Sequence, residues 1–247
     1  GIKWNWLRVL TYKKNNLKRI LNMLSFCFIL KIILLIKILL QKQKVNIIFA
    51  SSPQLPAAFL SLILAKFIRV PFIFEVRDLW PQVLIDQPGK KNKFLIFSLK
   101  FIERLTYKFS THIVVLSKDS INYIKERGGQ KISWLPNGPD LKIFNFSELP
   151  KENNGFNKQR PFTIIYSGAH GESNDLFTVL EAAKLIKNFP IKFIFIGDGP
   201  EKNRLIEFSK NQENVLFFDP IPKKDIPNFI KKADSILISL KDIPVFR

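Results

Sequence analysis

Arg77, Asp78 and Trp80 stand together in FEVRDLWP (74–81), directly after the apolar run VPFIFEV (70–76). A strand needs none of the three to fold. Asp78 can accept a proton or bind sugar hydroxyls, Arg77 can bind phosphate, and Trp80 can stack on a ring. The competing reading is a structural Arg77–Asp78 pair with Trp80 in the core. A second group lies later in the chain. YSGAHG (166–171) and IGDGP (196–200) each put glycines after an apolar run and ahead of a helical stretch. Small residues there let backbone approach a phosphate or a sugar, and a helix N-terminus attracts negative charge. Ser167, Gly168, His170 and Gly171, then Gly197, Asp198 and Gly199, are the candidates for anion contact. The alternatives are a plain turn capped by Asp198 and a solvated loop His170. His112, at the start of an apolar strand, reads as structural.

These residues share a position because of the elements around them. Short β-branched or aromatic runs alternate with helical stretches: VNIIFA (45–50), VPFIFEV, HIVVLS (112–117) and KISWLPNG (131–138), then FTIIYSG (162–168), IKFIFIGDG (191–199), NVLFFD (214–219) and SILISL (235–240). Unalternated strands interleaved with helices predict α/β architecture with parallel, doubly wound sheets covered on both faces. Ligands of such sheets sit beyond the carboxyl ends of the strands. That rule adds Ser51, Ser52, Asn137, Pro220 and Lys241 to the candidates. Residues 147–161 are polar, with apolar periodicity absent, and predict a linker. Two domains follow, 1–146 and 162–247, facing each other across a cleft.

Charge is unevenly spread. The 247 residues carry 39 Lys+Arg against 20 Asp+Glu, and the first 74 hold twelve basic residues with no acidic one. Such a segment predicts attraction to an anionic surface, although a general taste for Lys, Ile, Asn and Phe would also enrich cations. Nucleic acid is disfavoured, since aromatic–basic interleaving at strand positions and zinc-ligand spacing are both missing. ILNMLSFCFILKIILLIKILL (20–40) is long enough for a bilayer, but Lys31 and Lys37 interrupt it. In-plane association ranks ahead of a domain helix, and a span ranks last. The lone Cys27 excludes an internal disulfide and reads as packing in a reducing compartment.

Taken in order, FEVRDLWP, LSKDSINYIKERG, ISWLPNGPDLKIF, IIYSGAHG, FIGDGPEKNRL and DSILISLKDIPVF resemble the family-4 glycosyltransferases, closest to the branch of O-antigen and capsule L-fucosamine transferases. The resemblance runs from about residue 20 onward. It implies the GT-B fold, two Rossmann-like domains with acceptor bound by the first and nucleotide-sugar by the second. It further implies transfer with retention of anomeric configuration, no cofactor and no metal. Carried over by position, Arg77 and Asp78 would be catalytic, with Ser51, Ser52, Trp80 and Asn137 on the acceptor side. Ser167, Gly168, His170, Gly171, Gly197, Asp198, Gly199 and Lys241 would approach donor diphosphate and sugar, and Pro220-Ile221 the base.

Two departures qualify the likeness. The Arg and Lys that many relatives place after the first strand of the second domain are missing between Gly168 and Ala183, which leaves His170, backbone amides and Lys241. The paired glutamates expected shortly after KDIPVF and the opening strand of the first domain are also missing. The sequence therefore reads as a piece of a longer protein, truncated in both domains and inactive by itself. The whole protein would be a cytoplasmic transferase, peripheral on the inner face of the plasma membrane, taking a nucleotide-diphosphate sugar and a lipid-linked saccharide. The rivals are a GT-B nucleotide-sugar 2-epimerase and a non-catalytic membrane-binding fragment.

Overall fold

Every unalternated apolar run named above becomes a parallel strand. The computed structural model describes residues 4–11, 17–40, 44–86, 92–144 and 160–246. It divides into two units, Gly1–Asn137 and Gly138–Arg247. Most of the expected linker, 147–161, lies outside the described residues.

In the first unit, β1 (Ile48–Ser51), β2 (Phe72–Val76), β3 (His112–Val115) and β4 (Ile132–Trp134) pair side by side in chain order, all parallel. The register sets Ala50, Phe74 and Ile113 in one row. Helices α2 (Leu55–Phe67), α4 (Lys93–Phe109) and α5 (Ser120–Glu126) return the chain between strands, and a short α3 (Gln82–Asp86) follows β2. Phe72, Phe74, Val76, Ile113 and Val115 are buried with Leu55, Leu62 and Ala65 of α2, Leu99 and Tyr107 of α4, and Ile124 of α5. Burial of this apolar surface is the main stabilising term. The other sheet face is less covered than its unalternated sequence implies: Phe49 is exposed, and Ile73 and Val114 are half-buried.

Helix α1 (Leu17–Leu35) continues as one wide π-helical stretch through Leu40 and lies along α2. Between Leu21 and Ile38 it is long and apolar enough to cross a membrane by length and composition. Cys27 is buried, as packing demands. Leu30, Leu34, Leu60, Ile63 and Phe67 line an apolar crevice of about 250 Å³ between the two helices.

The second unit has strand order β7-β6-β5-β8, from β5 (Phe162–Ser167), β6 (Ile191–Ile196), β7 (Val215–Phe218) and β8 (Ser235–Ile236). Helices α6 (Leu176–Leu185), α7 (Lys202–Phe208) and α8 (Ile226–Ile230) lie between them. The chain steps outward from β5 to β7, then crosses back to pair β8 with the open edge of β5. That reversal is the topological switch point of a doubly wound sheet, where the loops after β5 and β8 diverge to leave a crevice. Arg160 seals the far end. Its guanidinium donates to both Asp234 oxygens at 2.7 Å, and Asp234 Oδ2 accepts the Thr163 N–H at 2.8 Å. The Arg160 guanidinium holds the Asp234 carboxyl below the usual range.

Candidate functional site

The carboxyl ends of the strands carry one polar cluster in each unit. In the first unit, the cluster is organised by serines. Ser52 is buried, and its Oγ accepts the N–H groups of Arg77 at 2.8 Å and Asp78 at 3.0 Å. It donates in turn to the Asp78 carbonyl at 3.2 Å. Ser51 Oγ donates to Glu75 Oε2 at 2.5 Å. The sequence reading puts both serines on the acceptor side. The structure instead turns them inward, as posts that fix the end of β2. With its backbone held, the pair Arg77–Asp78 presents both side chains to solvent. Among the described residues there is no ion pair between them. Trp80, joined to Pro81 by a cis peptide bond, is half-buried against the core of this unit, so its indole is largely structural. Asn137 is exposed at the end of the unit.

In the second unit, two loops close on each other backbone to backbone. His170 N–H donates to the Asp198 carbonyl at 2.8 Å, and the His170 carbonyl accepts Glu201 N–H at 3.0 Å. Gly168 N–H reaches Ile196 O at 3.0 Å and Gly197 N–H reaches Phe218 O at 3.2 Å. Glycine is needed for this approach. A Cβ on Gly197, whose φ is 148°, would collide with the Gly168 carbonyl oxygen, and one on Gly199 would lie 2.5 Å from the His170 carbonyl oxygen. The sequence reading gives these glycines to an anion; the structure shows that the first thing they approach is the neighbouring loop. Asp198 is exposed and accepts from Gly199 N–H at 2.8 Å, making a turn rather than a cap on α7.

His170 requires correction. As a donor to diphosphate it would have to face the loop surface, yet its side chain is 0% exposed. Its ring sits among Tyr166, Phe195 and Phe217, with centroids 5.7–6.5 Å away, and neither ring nitrogen has a hydrogen-bond partner. Burial pushes its pKa below the ordinary 6.5, the nearby Lys202 charge adds to that, and Asp198 opposes it. A neutral imidazole under the loops is the result.

Sequence reasoning passed over Lys202. Its Nζ is drawn inward and donates to Gly197 O at 2.9 Å, Phe218 O at 3.3 Å and Asp219 Oδ1 at 2.6 Å. One ammonium thereby ties the end of β6 to the end of β7, beside Pro220 and Ile221, and hydrogen-bonds the Asp219 carboxyl below its usual range. Lys241, past β8, donates its N–H to Ser173 O at 2.9 Å and its Nζ to Glu172 Oε1 at 3.1 Å. It borders a cavity of about 370 Å³, shared with Gly171, Glu172, Asp175, Glu201 and Arg204. Arg204 is the second residue that the sequence reading missed; its Nη1 pairs with Glu201 Oε2 at 2.6 Å. Ser167 is exposed at the end of β5, beside Gly168. Among the described residues, no group of three or more His, Cys, Asp or Glu is placed to hold a metal ion.

Two parallel α/β sheets, one reversed around β5, define a pair of Rossmann-like units of the kind found in GT-B glycosyltransferases, and residues 148–241 match the family model of glycosyl transferases group 1. Among individual proteins, the chain is 27% identical over 170 residues to WcaI of Escherichia coli (strain K12), named as a colanic acid biosynthesis glycosyl transferase; the match covers 62% of this chain and 39% of WcaI. Of the solved structures, sucrose-phosphate synthase from Thermosynechococcus elongatus aligns with a TM-score of 0.66 at 14% identity, over 93% of this chain and 57% of that one. HepE of Anabaena in complex with UDP and glucose aligns with a TM-score of 0.58 at 14% identity, over 84% and 56%. The likeness to these structures is one of fold. The chain spans less than two thirds of the length of each.

Proposed function

We propose that the whole protein is a retaining glycosyltransferase that moves a sugar from a nucleotide-sugar donor to a lipid-linked saccharide in O-antigen or capsule synthesis. The observation that carries this reading is the reversal around β5, which brings the loops 167–171 and 197–200 and Lys241 to one edge of a unit matching glycosyl transferases group 1. In this reading the exposed edge of those loops receives the donor diphosphate, with Lys241 and Arg204 as neighbouring cations. Both are already paired with glutamates, so an anion would have to exchange for Glu172 and Glu201. WcaI, named for colanic acid biosynthesis, and HepE, seen with UDP and glucose, support the substrate class.

In the first unit, Arg77 and Asp78 are held by Ser52 with both side chains exposed, available to acceptor or phosphate groups. The chemistry assigned to Asp78 is to hold or take the acceptor hydroxyl proton, and to Arg77 to steady phosphate charge. Neither a metal nor a cofactor enters this proposal. The acid-free segment before Glu75 supports a place on the cytoplasmic membrane face.

Incubating the full-length protein with a panel of UDP-, GDP- and dTDP-sugars and a lipid-linked saccharide, with chelator added, tests these statements together. An extended acceptor whose new linkage keeps the donor's anomeric configuration is the expected product. Release of free sugar without extension would favour epimerase chemistry and overturn the proposal.

A further inference from the structure

The outer face of α4 is an aromatic stripe set in positive charge. Phe94, Phe97 and Phe101 are 78%, 70% and 59% exposed, at a spacing of three and four residues that aligns them along one side of the helix. The opposite side holds Leu99, Glu103, Thr106 and Tyr107 in the core. Lys93, Lys100, Arg104 and Lys108 lie on or beside the stripe, all exposed. Glu103, the one acid on this helix, is 1% exposed and turned inward, 3.7 Å from Arg127. Helix α2 packs beside α4 and α1 beside α2. Within α2 the exposed Ile63, Lys66 and Phe67 repeat the same pairing of apolar and basic groups, and α2 contains no acid. Ile85, Ile96 and Phe97 also line a shallow groove of about 320 Å³ with Lys93 and Lys100 at its rim.

We infer that α4, with the neighbouring end of α2, is an in-plane docking surface for an anionic lipid bilayer. The inference rests on the membrane reading above and deepens it, because it moves the contact to a helix outside the acid-free segment. The occupant follows from charge complementarity. Three outward phenylalanines are costly to leave in water, and a protein partner would need a matching acidic, apolar groove. A leaflet of anionic lipid supplies apolar depth and negative charge together. An interfacial helix sinks its apolar face about 5–10 Å into the boundary of headgroups and acyl chains, which suits rings flanked by lysines whose stems reach back to phosphate. The Ile85–Phe97 groove would take an acyl segment, with Lys93 and Lys100 over its phosphate.

The test is flotation of the full chain with vesicles of phosphatidylcholine containing phosphatidylglycerol, and with pure phosphatidylcholine. The wild type is expected to float with the anionic vesicles and to lose them as salt rises. Phe97→Ser with Phe101→Ser should weaken binding at least ten-fold, while Leu185→Ser, a change at a still more exposed apolar residue in the other unit, leaves it unchanged. Lys93→Ala with Lys100→Ala, which disturbs no core residue, should weaken it about five-fold per lysine. Flotation of both α4 variants at wild-type levels, or equal binding to neutral vesicles, would overturn the inference. Calorimetry of the full-length protein with the panel of UDP-, GDP- and dTDP-sugars separates the two readings: lipid docking without binding of any nucleotide-sugar counts against the transferase alone, and nucleotide-sugar binding without docking counts against this surface alone.

Discussion

Lys202 makes the most consequential side-chain contacts of the second unit. Removing its ammonium takes a charged donor from the Gly197 and Phe218 carbonyls and the partner from the exposed Asp219 carboxylate, at a cost of about 1 kcal/mol. Lys202→Met should therefore lower the urea midpoint of the second unit and weaken nucleotide binding, while calorimetry on Arg204→Met separates loop support from direct charge. Asp78 bears on chemistry instead. Asp78→Asn keeps the N–H that Ser52 accepts, so circular dichroism should be unchanged while transfer by the full-length protein falls at least a hundred-fold. Glu103 supplies a pH signature. Burial raises its carboxyl to about 7 from 4.5, against the pull of the Tyr123 hydroxyl and the Arg127 guanidinium. A carboxyl with a raised folded pKa binds its proton more tightly in the native state. Its contribution is complete below pH about 4.5 and fades as pH rises through 7, on the order of 3 kcal/mol in total. Denaturation of the first unit should show that loss, and Glu103→Gln should flatten it.

Single elements show how much of the molecule was readable in advance. β5 and β6 are unalternated β-branched and aromatic runs, and they form where the sequence put them. α2 runs over Leu55–Phe67 as its pattern indicates. SILISL pairs only through Ser235 and Ile236, although β5 runs on to Ser167, because a periodicity reports what can be a strand and not where it leaves its partner. The site was readable by position and less so by role. The strand-end rule located Ser52, His170 and Gly197, yet hydrogen bonding between loops decides that Ser52 points inward and that His170 is covered. Lys202 had no local signal: a lysine at the start of a helix usually faces water, and only tertiary carbonyls pull this one in. The glycine turn offers a direct test of the loop contact. Gly197→Ala and Gly199→Ala should each destabilise the second unit, Gly197→Ala more because φ and collision add, as thermal unfolding would register.

For the molecule as a whole, charge and apolar exposure follow a division of labour between its two halves. Basic residues without exposed acids, and outward aromatic rings, gather on α2 and α4 of the first unit. Salt-linked loops and a reversed sheet gather in the second. The Arg160–Asp234 fork has a consequence for how that second half is made. Asp234 lies 74 positions after Arg160, and β8 follows at once, so on the ribosome the central strand β5 can pair with β6 long before its other edge meets a partner. Until Asp234 has been synthesised, the nascent chain carries a bare sheet edge. Translational pauses before that point would prolong the interval in which a chaperone, or another growing chain, can occupy it.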